Sequence, residues 1–386
     1  MGIQYEDNSD NSSILSNRLT LFRTLIVLGL VVIGVVVLLQ NSGNLLDNVV
    51  PVETTEVDCI IGSEKSGFLS NEEVQNILAR DYGISVSFQR MGSIEQVSID
   101  PGNNDCLWPS NASGVEIFVA NNPAYAGNFS DEIIFNSPIV LYSWQEVVDG
   151  LLAEGLITEN PDTGILTVDT FQLVDILTME ERPSWNELGV DELFGSFNLI
   201  TTDPTRSNSG NMFYALMANI LNGGDVTNET TIQPYLPTIG AYYERQGRLE
   251  ESSGFLYEQF TRLGIGTYPI IANYESLLIE FSLDNPEQID TIMQRIRIIY
   301  PTPTVWSSHP LIALTDDGER LLEAVQDERI QEIAWEQHGF RSGLIGAQND
   351  PSVFGIEGIA NEVNSVIPLP RADAIISMLE FLNADN

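Results

Sequence analysis

The chain has 386 residues, of which 43% are apolar, and 55 acidic residues against 16 basic ones give a formal net charge of −39. The length exceeds one small domain, and the apolar share is enough for real cores. The charge bears on solubility and partners rather than fold; it excludes nucleic acid, whose phosphates a polyanion repels, and it suits a salty medium that screens self-repulsion as well as a generally acidic proteome.

Lys65 is the only lysine, and the histidines (His309, His338) and cysteines (Cys59, Cys106) number two each. A His/Cys metal cluster and His-based nucleophilic catalysis are therefore short of candidates, and no cofactor or metal is expected. Residues 1–17 are polar and acidic and read as a disordered cytoplasmic tail. Arg18 and Arg23 precede a charge-free apolar run from Thr24 to Leu39. Extended to Leu19–Gln40, with Arg23 snorkelling to the interface, that run is long enough to span a bilayer. Residues 18–40 are thus expected to form one transmembrane anchor in the cell membrane, with the arginines inside and everything after it extracytoplasmic. The alternative is a cleaved signal peptide, for which Val37–Gly43 offers a poor cleavage site. Residues 41–55 read as a linker.

Val57–Ile61 is a strand feeding Gly62-Ser63. Ser70-Asn-Glu-Glu73 is a capping box opening a helix that Gly83 closes, and Ile84–Phe88 alternates as a strand. Asp105–Trp108, Val115–Val119 and Ile139–Tyr142 read as further strands. Trp144–Leu156 is helical in pattern and Phe197–Thr201 extended. A turn-rich loop through Gly210 opens an apolar helix, Met212–Leu221. Pro234–Gln246 and Ser252–Leu263 look helical; Tyr268–Ala272, Leu277–Phe281 and Ile296–Tyr300 look extended. Asp317–Gln337 and Arg371–Leu382 close the chain as helices. This alternation predicts an α/β fold with mostly parallel sheets. An outside location permits a disulfide between Cys59 and Cys106 if their strands are neighbours; two buried free thiols are the alternative.

Three loops follow predicted strands: Gly62–Ser66, Trp108–Asn111 and Thr201–Gly210. In an open α/β sheet, ligands bind beyond the carboxyl ends of strands. All three are rich in hydroxyls and amides, and the third opens a helix whose free N–H groups suit an anion. Taken singly, each reads more readily as a set of turns and N-caps, and it is their joint placement at strand ends that points to a site.

The stretch Asn198-Leu-Ile-Thr-Thr-Asp-Pro-Thr-Arg-Ser-Asn-Ser-Gly210 with its following helix resembles the bacterial extracellular solute-binding proteins of ABC importers. Asp327–Arg341, Asp105–Asn111 and Asn273–Ser276 resemble other segments of that group, and the resemblance covers residues 56–383. It is nearest to the type II molybdate-, sulfate- and ferric-iron-like binders. It implies two α/β lobes, 56–138 plus 274–386 and 139–273, joined by hinge strands at Ile139–Tyr142 and Leu277–Phe281. By position, Ser63, Ser110, Asn111, Ser207 and Ser209 would contact a solute, with Asn273 and Tyr274 beside them. Ser66, Trp108, Asp203 and Asn208 share the same loops. Lys65 and Arg206 would supply charge, against the plainer readings of a surface lysine and a salt-bridged arginine. Two cations and a helix N-terminus favour an oxyanion, whereas the net field steers cations inward. The expected partners are a small solute, an ABC permease and the membrane, around a monomer.

An enzyme is the competing class. No Gly-x-Ser-x-Gly elbow is present, and His309 before Pro310 and His338 at a helix end read as structural. A third reading is a membrane-anchored sensor or interaction protein on the same scaffold, with sequons at Asn111, Asn128 and Asn228 that matter only in a glycosylating host.

Overall fold

The computed structural model describes residues 54–288, 294–347 and 349–384. The expected tail, the membrane anchor and nearly all of the linker fall in 1–53, outside the described residues. No described helix is long and apolar enough to cross a membrane.

Among the described residues, ten strands form two sheets that share one strand. The first sheet runs β2 (Ile84–Arg90), β1 (Thr55–Ile61), β3 (Cys106–Trp108), β9 (Trp306–Ala313) and the first half of β4 (Ser130–Trp144), with β10 (Arg341–Ser342) added on β4. The second sheet is built on the other half of β4, which pairs with β7 (Ile270–Tyr274) on one side and β8 (Ile296–Thr302) on the other. Beyond β8 come β6 (Leu166–Asp169) and β5 (Ile157–Glu159). The sheets are mixed rather than mostly parallel: β1 pairs in parallel with β2 and β3, and β6 with β8, while every pairing of β4 is antiparallel. The physical reason is that β4, β8 and β9 carry the chain back and forth between the lobes, which a succession of β-α-β crossovers does not do.

The first sheet is covered on both faces. Val57, Cys59 and Ile61 of β1 join Trp108, Phe135 and Leu311 in one core, while Ile60, Leu107 and Ile312 point to the other with Ile117 and Phe118. This is the period-two alternation of a strand buried on both sides. Helix α1 (Glu72–Tyr82) starts one residue later than the capping box suggests, because the Asn71 side chain accepts from the Glu73 and Val74 N–H groups. Two predicted strands are helices: Val115–Val119 lies in α2 (Ser113–Asn121) and Leu277–Phe281 in α5 (Ser276–Asp284). Short apolar runs carry no period that separates strand from buried helix. In α2 the local signal that decides is Asn111, whose side chain accepts from the Ser113 N–H (2.9 Å). Phe197–Thr201 is extended but makes only an isolated bridge, Ile200 with Ile271.

The second crossing is therefore the β8–β9 connection at 303–305, not Leu277–Phe281. Strand β8 and buried residues between Phe354 and Leu382 pack in the second core, around α3 (Asn208–Leu221) and α4 (Ser253–Leu263). Helices α6 (Asp316–Ala324) and α7 (Glu328–His338), read from sequence as one stretch, break at 325–327, where Asp327 caps the second. The last helix, α8 (Ala372–Ala384), buries Ala374, Met378 and Leu382 in the second core, while Ala372 and Ile376 reach the first.

Cys59 and Cys106 stand directly opposite each other on parallel β1 and β3 and are bridged, with Cα atoms 4.7 Å apart. The bridge closes a 47-residue separation, for which loop-closure entropy predicts about 4 kcal/mol.

Candidate functional site

Where the two sheets face each other the chain leaves a cleft of about 540 Å³. One wall comes from the first lobe: Gly62, Ser63 and Glu64 after β1, and Arg90 to Glu95 after β2. The other comes from the second: Thr205 to Asn208, Glu251 to Ser253, and Tyr274 at the end of β7. Strand ends and helix starts thus supply the walls, as expected for an open α/β fold.

The Ser-Asn-Ser-Gly turn is shaped by contact. A Cβ on Gly210 would lie 2.1 Å from the Thr202 carbonyl oxygen, so only glycine lets α3 start this close to the preceding segment. The Gly210 N–H donates to Thr202 Oγ1 (2.8 Å). Ser207 and Ser209 both meet Ser253 at the start of α4, at 3.2 and 2.8 Å, and Ser209 also meets Thr202 Oγ1 at 2.8 Å. Two helix N-termini thereby share one knot of hydroxyls. Ser253 was readable as the start of the predicted Ser252–Leu263 helix, but only the fold brings it to Ser207.

Lys65 is fully buried, which reverses both sequence readings of it as a surface or ligand-facing cation. Its Nζ lies 2.5 Å from Glu64 Oε1, donates to Ser110 Oγ (2.8 Å) and sits 3.2 Å from His309 Nδ1. Burial lowers the Lys65 pKa, and Glu64 opposes the shift. Burial, with Lys65 beside it, pushes His309 well below its usual range, so its ring is neutral. Burial alone would raise Glu64, but Lys65 outweighs it and holds the carboxyl at about 2. Arg206 is the surface salt bridge that its plainer reading suggests: it meets Glu251 at 2.9 Å with both side chains more than half exposed.

The remaining expected residues divide by role. Ser63 is exposed and lines the cleft. Ser66 Oγ is buried without a hydrogen-bond partner. Ser110 Oγ donates to Glu64 Oε1, while its carbonyl accepts from Asn208 Nδ2 (2.6 Å) and Ser307 Oγ (2.7 Å). Asn111 bridges the lobes through Nδ2 to Asn211 Oδ1 (3.3 Å). Asp203 is a turn former that accepts from Thr205 N and Oγ1. Asn273 donates to the Ser253 carbonyl (2.9 Å) and positions α4. Trp108 is off the cleft: it is fully buried, stacks on Phe135 and donates Nε1 to the His309 carbonyl. Tyr274 lines the cleft, and its hydroxyl receives a bond from Asn208 Nδ2 (2.9 Å). Burial pushes that hydroxyl far above the usual tyrosine range, so it stays protonated.

Among the described residues, no three His, Cys, Asp or Glu side chains are grouped to hold a metal ion. Glu64, Arg90 and Ser253 are among the cleft residues that the sequence did not single out. The first lies inside a quoted loop, whereas Arg90 ends a strand whose neighbours only the fold supplies.

No protein-family model matches this chain, and no curated protein matches it in sequence. Solved structures do match. Ferric ion-binding protein A of Pasteurella haemolytica, in its apo form, is similar at 14% identity over 85% of this chain and 97% of that one, with a TM-score of 0.53. Ferric iron-binding protein A of Mannheimia haemolytica in an open conformation is similar at 13% identity over 86% and 98%, with a TM-score of 0.50. The periplasmic binding protein P5PA is similar at 10% identity over 85% and 98%, with a TM-score of 0.50. At these identities the likeness establishes the fold: a two-lobed α/β type II periplasmic-binding-protein fold.

Proposed function

We propose that this chain is an extracytoplasmic solute-binding protein that closes its two lobes over a small polar solute. The observation that carries the reading is the cleft, walled by polar groups from both sheets and spanned by hydrogen bonds from Asn208 to Ser110 and from Asn111 to Asn211. A hinge at β4 and the β8–β9 connection allows such walls to part and meet. The buried disulfide supports an oxidising compartment, and the apolar run before the described residues supports a single-pass tether in the cell membrane. Delivery to an ABC permease, by a monomer, completes the proposal. The similar structures are named for binding rather than catalysis, which supports a protein without turnover.

The solute's charge needs revision. Lys65 and Arg206, the cations that favoured an oxyanion, are each held by a glutamate. A ferric site of the tyrosinate kind finds one phenol on the cleft wall, Tyr274, and burial keeps it protonated.

A thermal-shift screen of the protein against oxyanions, ferric citrate, amines and small sugars tests the proposal. A true ligand at 100 times its dissociation constant stabilises by about 2.7 kcal/mol. Ser207→Ala with Ser209→Ala is expected to abolish that shift while leaving the apo protein folded. A folded protein that no solute stabilises would favour the sensor or interaction reading, which the uncleaved tether also suits. Turnover of a bound solute would revive the enzyme.

A further inference from the structure

The inner wall of the cleft carries two hydrogen-bond acceptors that no donor in the described protein meets. Asn208 is only 8% exposed. Its Nδ2 donates to the Ser110 carbonyl (2.6 Å) and the Tyr274 hydroxyl (2.9 Å). A carbonyl can only accept, so the orientation of the amide is fixed. Its Oδ1 is buried with no partner, a state that costs about 1–3 kcal/mol unless something donates to it. Glu64 is the second case. The bonds from Lys65 and from Ser110 both end on Oε1, leaving Oε2 with none. The carboxyl is ionised throughout the neutral range. Glu64, Asn208 and Tyr274 line the same cleft, and the first two both bond Ser110.

The opposite end of the charge pattern is Arg90. It lines the cleft from the end of β2, and its guanidinium has no acceptor among the described residues. Among the cleft residues, Glu64 offers an ionised carboxylate with a free oxygen and Arg90 an uncommitted cation, and Glu95 and Glu251 add further acid to the walls, in a chain whose net charge is −39.

We propose, resting on the solute-binding reading above, that the solute presents an N–H-rich cationic group, an ammonium or a guanidinium, to Asn208 Oδ1 and Glu64 Oε2. An oxyanion brings no donor to either acceptor and sets its charge against Glu64. A quaternary ammonium brings the charge without the N–H groups that Asn208 requires. Arg90 receives an anionic substituent where the solute carries one, so zwitterions and simple amines share the inner contact and differ at Arg90.

Isothermal titration of the full-length protein with putrescine, L-arginine, glycine, trimethylglycine, molybdate and sulfate decides the matter. At least one of the first three is expected to bind, and trimethylglycine to bind at least tenfold more weakly than glycine if glycine is that ligand. Asn208→Leu weakens the bound amine about tenfold or more. Should that variant fail to fold, Arg90→Ala serves instead: it weakens arginine or glycine and does not weaken putrescine. Binding of molybdate or sulfate without any amine would overturn this inference and leave the solute-binding reading standing. Silence from all six probes would count against both.

Discussion

Two buried ion pairs among the described residues are built differently. At the hinge, Arg341 on β10 forks onto Glu275 at the end of β7, Nε to Oε2 at 2.6 Å and Nη2 to Oε1 at 2.9 Å. Tyr300 of β8 donates to the same Oε1 (2.5 Å), and the guanidinium also reaches the carbonyls of Ala360 and Asn361. Both oxygens of that carboxylate are used. At the cleft, Glu64 and Lys65 crowd their bonds onto one oxygen and leave the other free. A buried carboxylate with both oxygens bonded holds structure in place; one with an unmatched oxygen on a cleft wall is equipped to receive something from outside.

That contrast can be broken from its stronger side first. Arg341→Ala strands Glu275 in the hinge and is expected to cost about 3–5 kcal/mol in urea unfolding; a loss below about 1 kcal/mol would remove the structural role. The first lobe has a covalent hold that the hinge lacks. Cys59→Ala with Cys106→Ala is expected to cost about 2–4 kcal/mol by the same measurement, and reduction should mimic it.

A third acid sharpens the contrast because no donor among the described residues meets it. Glu280 on α5 is pushed up to about 7, first by burial and then by Asp284 and Glu64. A folded pKa above the unfolded value means that its contribution is fully present below about pH 4.5 and is lost as pH rises through 7. Glu280→Gln is therefore expected to stabilise the protein at pH 8, by on the order of 1 kcal/mol after solvent screening, and to be neutral at pH 4. Glu64 has the opposite sign: its folded pKa is lowered, so its contribution holds above about 4.5 and is lost as the pH falls toward 2. The smallest effect belongs to the exposed Arg206–Glu251 pair, where Arg206→Ala should change stability by less than about 0.5 kcal/mol.

The alternation of elements and the serine turn before α3 were legible in the chain, while the pairing of the two cysteine strands was open there and is supplied by the fold. Strand β9 was not. Trp306-Ser-Ser-His-Pro310 looks polar and broken, yet it is a central strand, and it keeps Pro310 because that residue pairs with Ile133 where the β4 register slips. Glu275 and Arg341 lie 66 residues apart, so nothing local announces their pairing. Lys65 was misjudged because a lone lysine is normally solvated; what buries it is the convergence of Glu64, Ser110 and His309, which only tertiary structure supplies.

Strand β4 has fifteen residues, the first half in one sheet and the second half in the other. One continuous ribbon therefore belongs to both lobes, and neither lobe can be lifted out with its own complete set of strands. Chimeras that swap a lobe between related proteins should fold only when both halves of this ribbon travel together.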